Sequence, residues 1–310
     1  MSGSSQLRRI ARHVSWVKAQ GLSRLIEEDE LNPLTNARLA ARRAAWRRSN
    51  PVAPGSAMPV LVFGVQRSGT NMVTRGFRSS PAFEVFNEND KRAFVDFRLR
   101  PLDEVAALVS GSRHRWVLLK PLCDSHRAAE LLEALSGPAP ARAMWVHRQV
   151  DSRVRSAVAK FGDANLQALR AIGAGKGDGL WQAGGLSQDN LRLIQSFDLD
   201  AMSPVSASAL FWFIRNSLFF ELGLDRRNDV LAVSYDRLVR APEEVTRQIC
   251  DFLGCPWDKG FSAHIQRRES SDAAPLGIDP TIRDHCNRLQ ERFDAMYRRE
   301  SSRAGEAPPG

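Results

Sequence analysis

Residues 59–71 read Pro59-Val60-Leu61-Val62-Phe63-Gly64-Val65-Gln66-Arg67-Ser68-Gly69-Thr70-Asn71, and their order decides the fold. Four apolar residues without a polar break describe a strand buried on both faces. Gly64 ends it, a short loop follows, and from Thr70 the pattern turns helical. Strand, tight glycine loop, hydroxyl residue, helix: in this order a chain aims backbone N–H groups and a helix N-terminus at one phosphate. Gly64 and Gly69 have the G-x-x-x-x-G spacing of a Walker A loop. A nucleotide triphosphatase places Lys next, to reach the β- and γ-phosphates. Here Thr70 follows Gly69 directly, and the cation, Arg67, lies inside the loop. The loop suits a phosphate-bearing donor, but lacks the lysine that ATP with magnesium calls for.

Outward from this loop, further strand signals at 83–86, 115–120, 141–147 and 229–235 alternate with helix signals. The helices are expected at 70–79, 102–110, 124–136, 150–171, 205–224, 242–253 and 280–299. Continuous apolar strands between helices predict an α/β fold: a three-layer parallel sheet with helices on both faces. Residues 173–187 hold six glycines and read as a long loop, a lid or substrate wall on one reading and a tolerated insertion on the other. The expected divisions are a basic helical arm and linker at 1–55, the main domain at 56–300 and a disordered tail at 301–310.

Composition is that of an ordinary globular protein, with 43% hydrophobic and 25% charged residues in a chain of 310. No apolar run of about eighteen residues predicts a transmembrane helix, and the N-terminus lacks the apolar core of a signal peptide. Four scattered cysteines, without C-x-x-C, read as reduced thiols of a cytoplasmic protein. The net charge of +9 favours anionic partners. Residues 1–50 carry ten Lys and Arg against four acids, so +6 lies there. Leu7, Ile10, Val14 and Val17 share one helical face, and Arg38, Arg42, Arg43, Arg47 and Arg48 crowd a second segment. Packed helices with a solvated basic face are the favoured reading, ahead of an arm that touches a membrane surface or a partner.

A second buried strand, 141–147, ends at His147-Arg148, and a helix begins near Asp151, read as its N-cap. Arg148 thus stands at the carboxyl end of its strand, where open α/β sheets bind ligands. Ser156 follows eight residues later.

With these residues the chain resembles the sulfotransferase family, which uses 3′-phosphoadenosine 5′-phosphosulfate (PAPS) on a P-loop-like fold. Gln66-Arg67-Ser68-Gly69-Thr70-Asn71 stands where the family shows K/R-S-G-T. The Arg148–Ser156 spacing is similar to that of its 3′-phosphate motif. Val233–Leu238, VSYDRL, then Pro242, then Phe252-Leu253-Gly254 follow in the family's order. The resemblance covers about residues 59–260. It implies that residues 66–71 hold the 5′-phosphosulfate, that Arg148 and Ser156 hold the 3′-phosphate, and that Tyr235 touches the adenine. It implies more loosely a loop over the donor at 266–272, with Arg267, Arg268 and Ser270 as candidates.

Sulfuryl transfer resembles phosphoryl transfer. Charge that grows on the leaving oxygen needs fixed donors, here Arg67 and the loop amides. The transferred group carries less charge than a phosphoryl group, so no metal is expected. The attacking hydroxyl or amine needs a general base. The His found two residues after a strand-end Lys in the cytosolic small-phenol branch is missing, since Pro121 and Leu122 follow Lys120. Glu88, twenty-one residues after Arg67, is the expected base, as in Arg-loop branches. Asp90 is the fallback and His126 a further candidate. Lys120 is assigned to transition-state stabilisation. The acceptor class implied is a carbohydrate or a glycan-bearing lipid. Two other readings stand beside this one: a P-loop nucleotide kinase, and a non-catalytic protein whose basic arm binds nucleic acid or membrane.

Overall fold

The structure is a computed structural model, and it describes residues 33–269 and 274–305. The chain divides into two compact units, Met1–Pro51 and Val52–Gly310. In the first, one helix is described, α1 (Pro33–Ser49), with Arg38, Arg42, Arg47 and Arg48 exposed. The face expected from Leu7 to Val17 lies outside the described residues.

The second unit is built on β1 (Met58–Gly64), β2 (Phe83–Phe86), β5 (Trp116–Leu119), β6 (Arg142–His147) and β7 (Val230–Ser234). They form one sheet in the order β2-β5-β1-β6-β7. Every pairing is parallel, with Leu61 beside Leu119 and Ala143, and Val146 beside Gly64 and Val233. A small hairpin, β3 (Phe94–Val95) and β4 (Arg98–Leu99), lies apart from the sheet and has no counterpart in the expected elements.

Successive strand residues point to opposite faces, and both faces of this sheet are covered. Leu61, Phe63, Val117, Leu119 and Trp145 belong to one core cluster. On that side lie α3 (Leu102–Ser110), α4 (Ala128–Leu135), α5 (Val150–Phe161), α6 (Ala164–Gly173), α7 (Gln188–Gln195), α8 (Pro204–Glu221) and α11 (Pro280–Gly305). Val60, Val62, Leu118 and Val146 face the other cluster, with α2 (Thr70–Arg78), α9 (Tyr235–Arg240) and α10 (Pro242–Leu253). There Phe77 packs at 4.9 Å from both Phe83 and Phe261, ring centre to ring centre. Cutting such a fully buried Phe to Ala costs about 3–5 kcal/mol.

Some expected boundaries shift for local reasons. The single helix at 150–171 breaks at Gly162, whose φ of 59° stops the helix. The segment after Lys120 opens as a 3-10 turn, Leu122–Arg127, before α4. The glycine loop at 173–187 contains a short 3-10 turn, Trp181–Ala183, and α7 follows it unforeseen. Helix α11 runs to Gly305, past the expected start of the tail. No described helix is long and apolar enough to cross a membrane. All four cysteines are free and buried.

The strand order matters for function. From the central β1, the chain places β5 and β2 on one side and β6 and β7 on the other. Such a switch point leaves a crevice at the carboxyl ends of the strands, and the 64–69 loop sits in it.

Candidate functional site

The loop between β1 and α2 is held from the β6 side. Arg67 takes a left-handed φ of 70°, a conformation that costs a non-glycine residue about 1–3 kcal/mol and gathers at functional sites. Its Nε donates to Ser156 Oγ at 3.0 Å. Arg148 Nη1 donates to the Arg67 carbonyl at 3.4 Å, and Arg153 Nε to the Gln66 carbonyl at 3.2 Å. Ser68 is fully buried, and its hydroxyl is without a partner among the described residues. Thr70 is buried as the first residue of α2, whose first turn contains no acid. The positive end of that helix is therefore uncompensated by its own side chains.

Tyr235, the first residue of α9 just past β7, packs against the loop. Gly69 has φ 94°, and a Cβ there would lie 2.3 Å from the Tyr235 ring, so only glycine lets ring and loop meet. The Arg148 guanidinium lies 4.2 Å from the centre of the same ring. Gly69 and Arg148 thus both contact the Tyr235 ring. Burial first, and then the charges of Arg67 and Arg268, push the Arg148 guanidinium below its ordinary value, against Tyr235 and Asp236. Three guanidinium groups converge here, an arrangement that an oligoanion neutralises.

The other side of β1 differs. Lys120 follows β5, and its backbone N–H bonds the Phe86 carbonyl at the end of β2 at 3.2 Å. Its buried ammonium donates to Asn71 Oδ1 and lies 3.3 Å from Glu88 Oε2. Burial pushes the Glu88 carboxyl above its ordinary value, with Lys120 pulling the other way. The structure thus brings Glu88, Lys120 and the loop residue Asn71 together. The alternatives for the base lie elsewhere. Asp90 is engaged by Arg92 through Oδ1 at 3.0 Å and Oδ2 at 2.7 Å. Burial would raise its carboxyl, but the Arg92 hydrogen bonds outweigh burial and hold it low. His126 lies in the 122–127 turn, where burial holds its imidazole down to about 4.

Other expectations need adjusting. Asp151 does not cap α5: Gln149 does, accepting from the Ser152 N–H at 3.1 Å. Asp151 instead pairs with Arg283 at 2.6 Å and accepts the Leu276 N–H at 2.9 Å. Its spacing from Arg148 is that of an ordinary helix residue bound to α11. Arg267 and Arg268 are both exposed; Arg268 donates its backbone N–H to the Val239 carbonyl at 2.9 Å, and its charge reaches Arg148. Ser270 lies outside the described residues.

Two residues escaped the sequence reading. Arg153 is fully buried, one helical turn past Arg148, and donates to the Ser208 carbonyl and hydroxyl at 2.9 Å as well as to the loop. Trp212 Nε1 donates to the Arg148 carbonyl at 2.8 Å. A lone arginine on the apolar face of α5 was the available signal for the first; the second had none. Among the described residues, no group of three or more His, Cys, Asp or Glu could hold a metal ion.

Comparison with known proteins agrees in part of the chain. Residues 212–259, from Trp212 through Tyr235 to the stretch after Phe252-Leu253-Gly254, match the model of the Sulfotransferase family. No curated protein matches the sequence. Similar solved structures include the sulfotransferase domain of the Synechococcus PCC 7002 olefin synthase, 16% identical over 77% of this chain and 96% of that one, TM-score 0.40. Sulfotransferase STF9 from Mycobacterium avium is 14% identical over 85% of this chain and 86% of its own, TM-score 0.44. Mouse sulfotransferase SULT7A1, complexed with PAP, is 13% identical over 83% of this chain and 88% of its own, TM-score 0.35. At these scores the likeness assigns no role to any residue. Residues 212–259 of this chain are thus similar to the sulfotransferase family, and the loop, the parallel sheet and the Arg67–Ser156 hydrogen bond stand beside that match.

Proposed function

We propose that the protein moves a sulfuryl group from PAPS to a hydroxyl or amine acceptor by in-line transfer, with Glu88 as general base. The observation that carries this reading is Tyr235, touching Gly69 on one side and Arg148 on the other. A single adenine nucleotide with phosphates at both ends spans such a pocket. The donor set fits it: a buried, unpartnered Ser68 hydroxyl, an uncapped helix N-terminus and converging arginines. When bound, PAPS supplies an activated sulfuryl group on a phosphate leaving oxygen.

The chain's residues do the rest. Residues 66–71 would hold the 5′ end, and Arg67 would offset charge that grows on the leaving oxygen. Arg148 and Ser156 would hold the 3′-phosphate, with Arg268 in reach of the same field and Tyr235 against the adenine. Lys120, fixed by Asn71 beside the loop, would stabilise the transferring oxygens. Glu88 would take the proton of the attacking group. Its carboxyl is held above the ordinary value by burial, with Lys120 pulling the other way, which strengthens it as a base. A carbohydrate or glycan-bearing lipid remains the proposed acceptor, supported by the Arg-type loop and the positive charge.

Calorimetry with 3′-phosphoadenosine 5′-phosphate (PAP) beside ATP tests the reading. PAP is expected to bind at least tenfold more tightly than ATP. Heat with ATP and none with PAP would favour the nucleotide-kinase reading instead.

A further inference from the structure

The acceptor side contains two buried donors that the mechanism above does not use. Arg215, on α8, is 4% exposed and sits three residues past Trp212, which touches the Arg148 carbonyl. Its Nη1 donates to the Gly184 carbonyl at 2.7 Å, and its Nη2 is buried without a partner. His126, in the turn that follows Lys120, has a buried Nδ1 that also lacks a partner. The two groups meet under the glycine loop. A Cβ at Gly184 would lie 2.6 Å from the His126 ring, and the Arg215 guanidinium lies 5.6 Å from the centre of the Trp181 ring.

The nearest acid does not neutralise Arg215. Asp124 accepts from Arg98 Nε at 2.7 Å and the Leu99 N–H at 2.8 Å, and Arg215 forms no ion pair among the described residues. A buried unpaired guanidinium is strongly unfavourable. The turn is also tied to the catalytic loop, since Ser125 Oγ accepts the Gly64 N–H at 3.2 Å. This ties the turn that carries His126 to the start of the 64–69 loop. The Cys123 thiol, in the same turn, feels the charges of both Glu88 and Arg215.

We propose that Arg215 and His126 form an anion subsite of the acceptor pocket, so that the acceptor carries a carboxylate beside the hydroxyl that reacts. This rests on the sulfuryl-transfer reading. The charge count selects a monoanion. Asp124 and Arg98 cancel, Glu88 and Lys120 cancel, and the neutral imidazole adds a donor without a charge, which leaves one cation. A planar carboxylate matches two donors, Arg215 Nη2 and His126 Nδ1–H, with one oxygen each. The glycine loop supplies the roof, and Trp181 a flat wall for a sugar or aromatic ring.

Calorimetry on the PAP-saturated full chain tests this with two probe pairs: glucuronate against glucose, and 4-hydroxyphenylacetate against 4-hydroxyphenylethanol. In at least one pair the carboxylate is expected to bind tenfold or more tightly than its neutral partner. Arg215→Met should remove that advantage, a loss of about 10–100-fold, and leave PAP affinity within threefold. If Arg215→Met does not fold, His126→Leu carries the test and should cut the advantage about three- to tenfold. No carboxylate advantage in either pair, or an advantage that survives both substitutions, overturns the proposal. Parallel loss of PAP binding in Arg215→Met assigns the residue to the scaffold and overturns it too. Absence of PAP binding in the unaltered protein counts instead against the sulfuryl-transfer reading.

Discussion

The two sides of β1 are built on opposite electrostatic plans. On the β6–β7 side, Arg67, Arg148 and Arg153 bond hydroxyls and backbone carbonyls, and among the described residues none of the three forms an ion pair with a carboxylate. Their charges add. On the β5–β2 side, charges come in opposed pairs, Lys120 with Glu88 and Arg98 with Asp124. The difference fits what each side would handle in the proposed transfer. Like charges can be kept close where the ligand brings the countercharge, and the gathered field then serves both binding and the transition state. Where a proton must leave a neutral hydroxyl, a bare cationic pocket would have no base. In the proposed mechanism the Glu88 carboxylate, raised by burial beside Lys120, would supply it.

The proposed division is broken most directly by one substitution on each side. Arg67→Ala removes a donor from the first side and is expected to lower kcat about 10²–10³-fold. It should weaken PAP binding as well, with the thermal melt little changed, since among the described residues the side chain bonds only Ser156. Glu88→Gln acts on the other side. It should lower kcat about 10²–10⁴-fold while PAP affinity stays within threefold. In the unaltered enzyme kcat should fall as pH falls through the raised Glu88 carboxyl, because the base must be ionised. That acid limb should vanish in Glu88→Gln. Steady-state kinetics beside PAP calorimetry checks both. Loss of PAP binding in Glu88→Gln, or a retained acid limb, would merge the two sides into one.

The same contrast explains what could be read from the sequence. A phosphate loop works through consecutive residues, so Gly64, Arg67, Gly69 and Thr70 leave a local spacing. The Arg148–Ser156 spacing is also local, eight residues across the start of α5. Long apolar strands declare a parallel sheet for the same reason: burial on both faces is a property of the segment itself. The acceptor side has no such signature. Glu88 was reachable only by counting from Arg67, and nothing local tied it to Lys120. Arg215 reads in sequence as one polar break in an apolar helix. Its significance depends on Gly184 and His126, distant in the chain, closing over it. Asp151 shows the reverse error: spacing suggested a helix cap, while tertiary contact with Arg283 on α11 claimed the carboxylate.

A smaller effect separates the two sides by acid stability. β6 ends on His147, fully buried, with Nε2 2.7 Å from the Tyr297 hydroxyl and its ring 4.0 Å from that of Phe293. Burial first, then the charge of Arg237, hold its imidazole down to about 3. A folded value below the unfolded one means that the unfolded chain binds the proton more readily. The contribution is therefore fully present above about pH 6.5 and is lost as pH falls toward 3. By pH 5 the loss reaches about 2 kcal/mol. His126, held at about 4, has the same sign on the acceptor side. His147→Gln keeps a polar partner for Tyr297 but cannot titrate. Denaturant melts at pH 7 and pH 5 should therefore show a stability difference about 2 kcal/mol smaller than in the unaltered protein. His126→Leu should shrink it by less, since that ring is only partly buried and solvent screens it, and the two effects should add, since they lie on opposite sides of β1. An unchanged difference in His147→Gln would mean that β6 opens to solvent before the chain unfolds, and the β6–β7 side would then be the softer of the two.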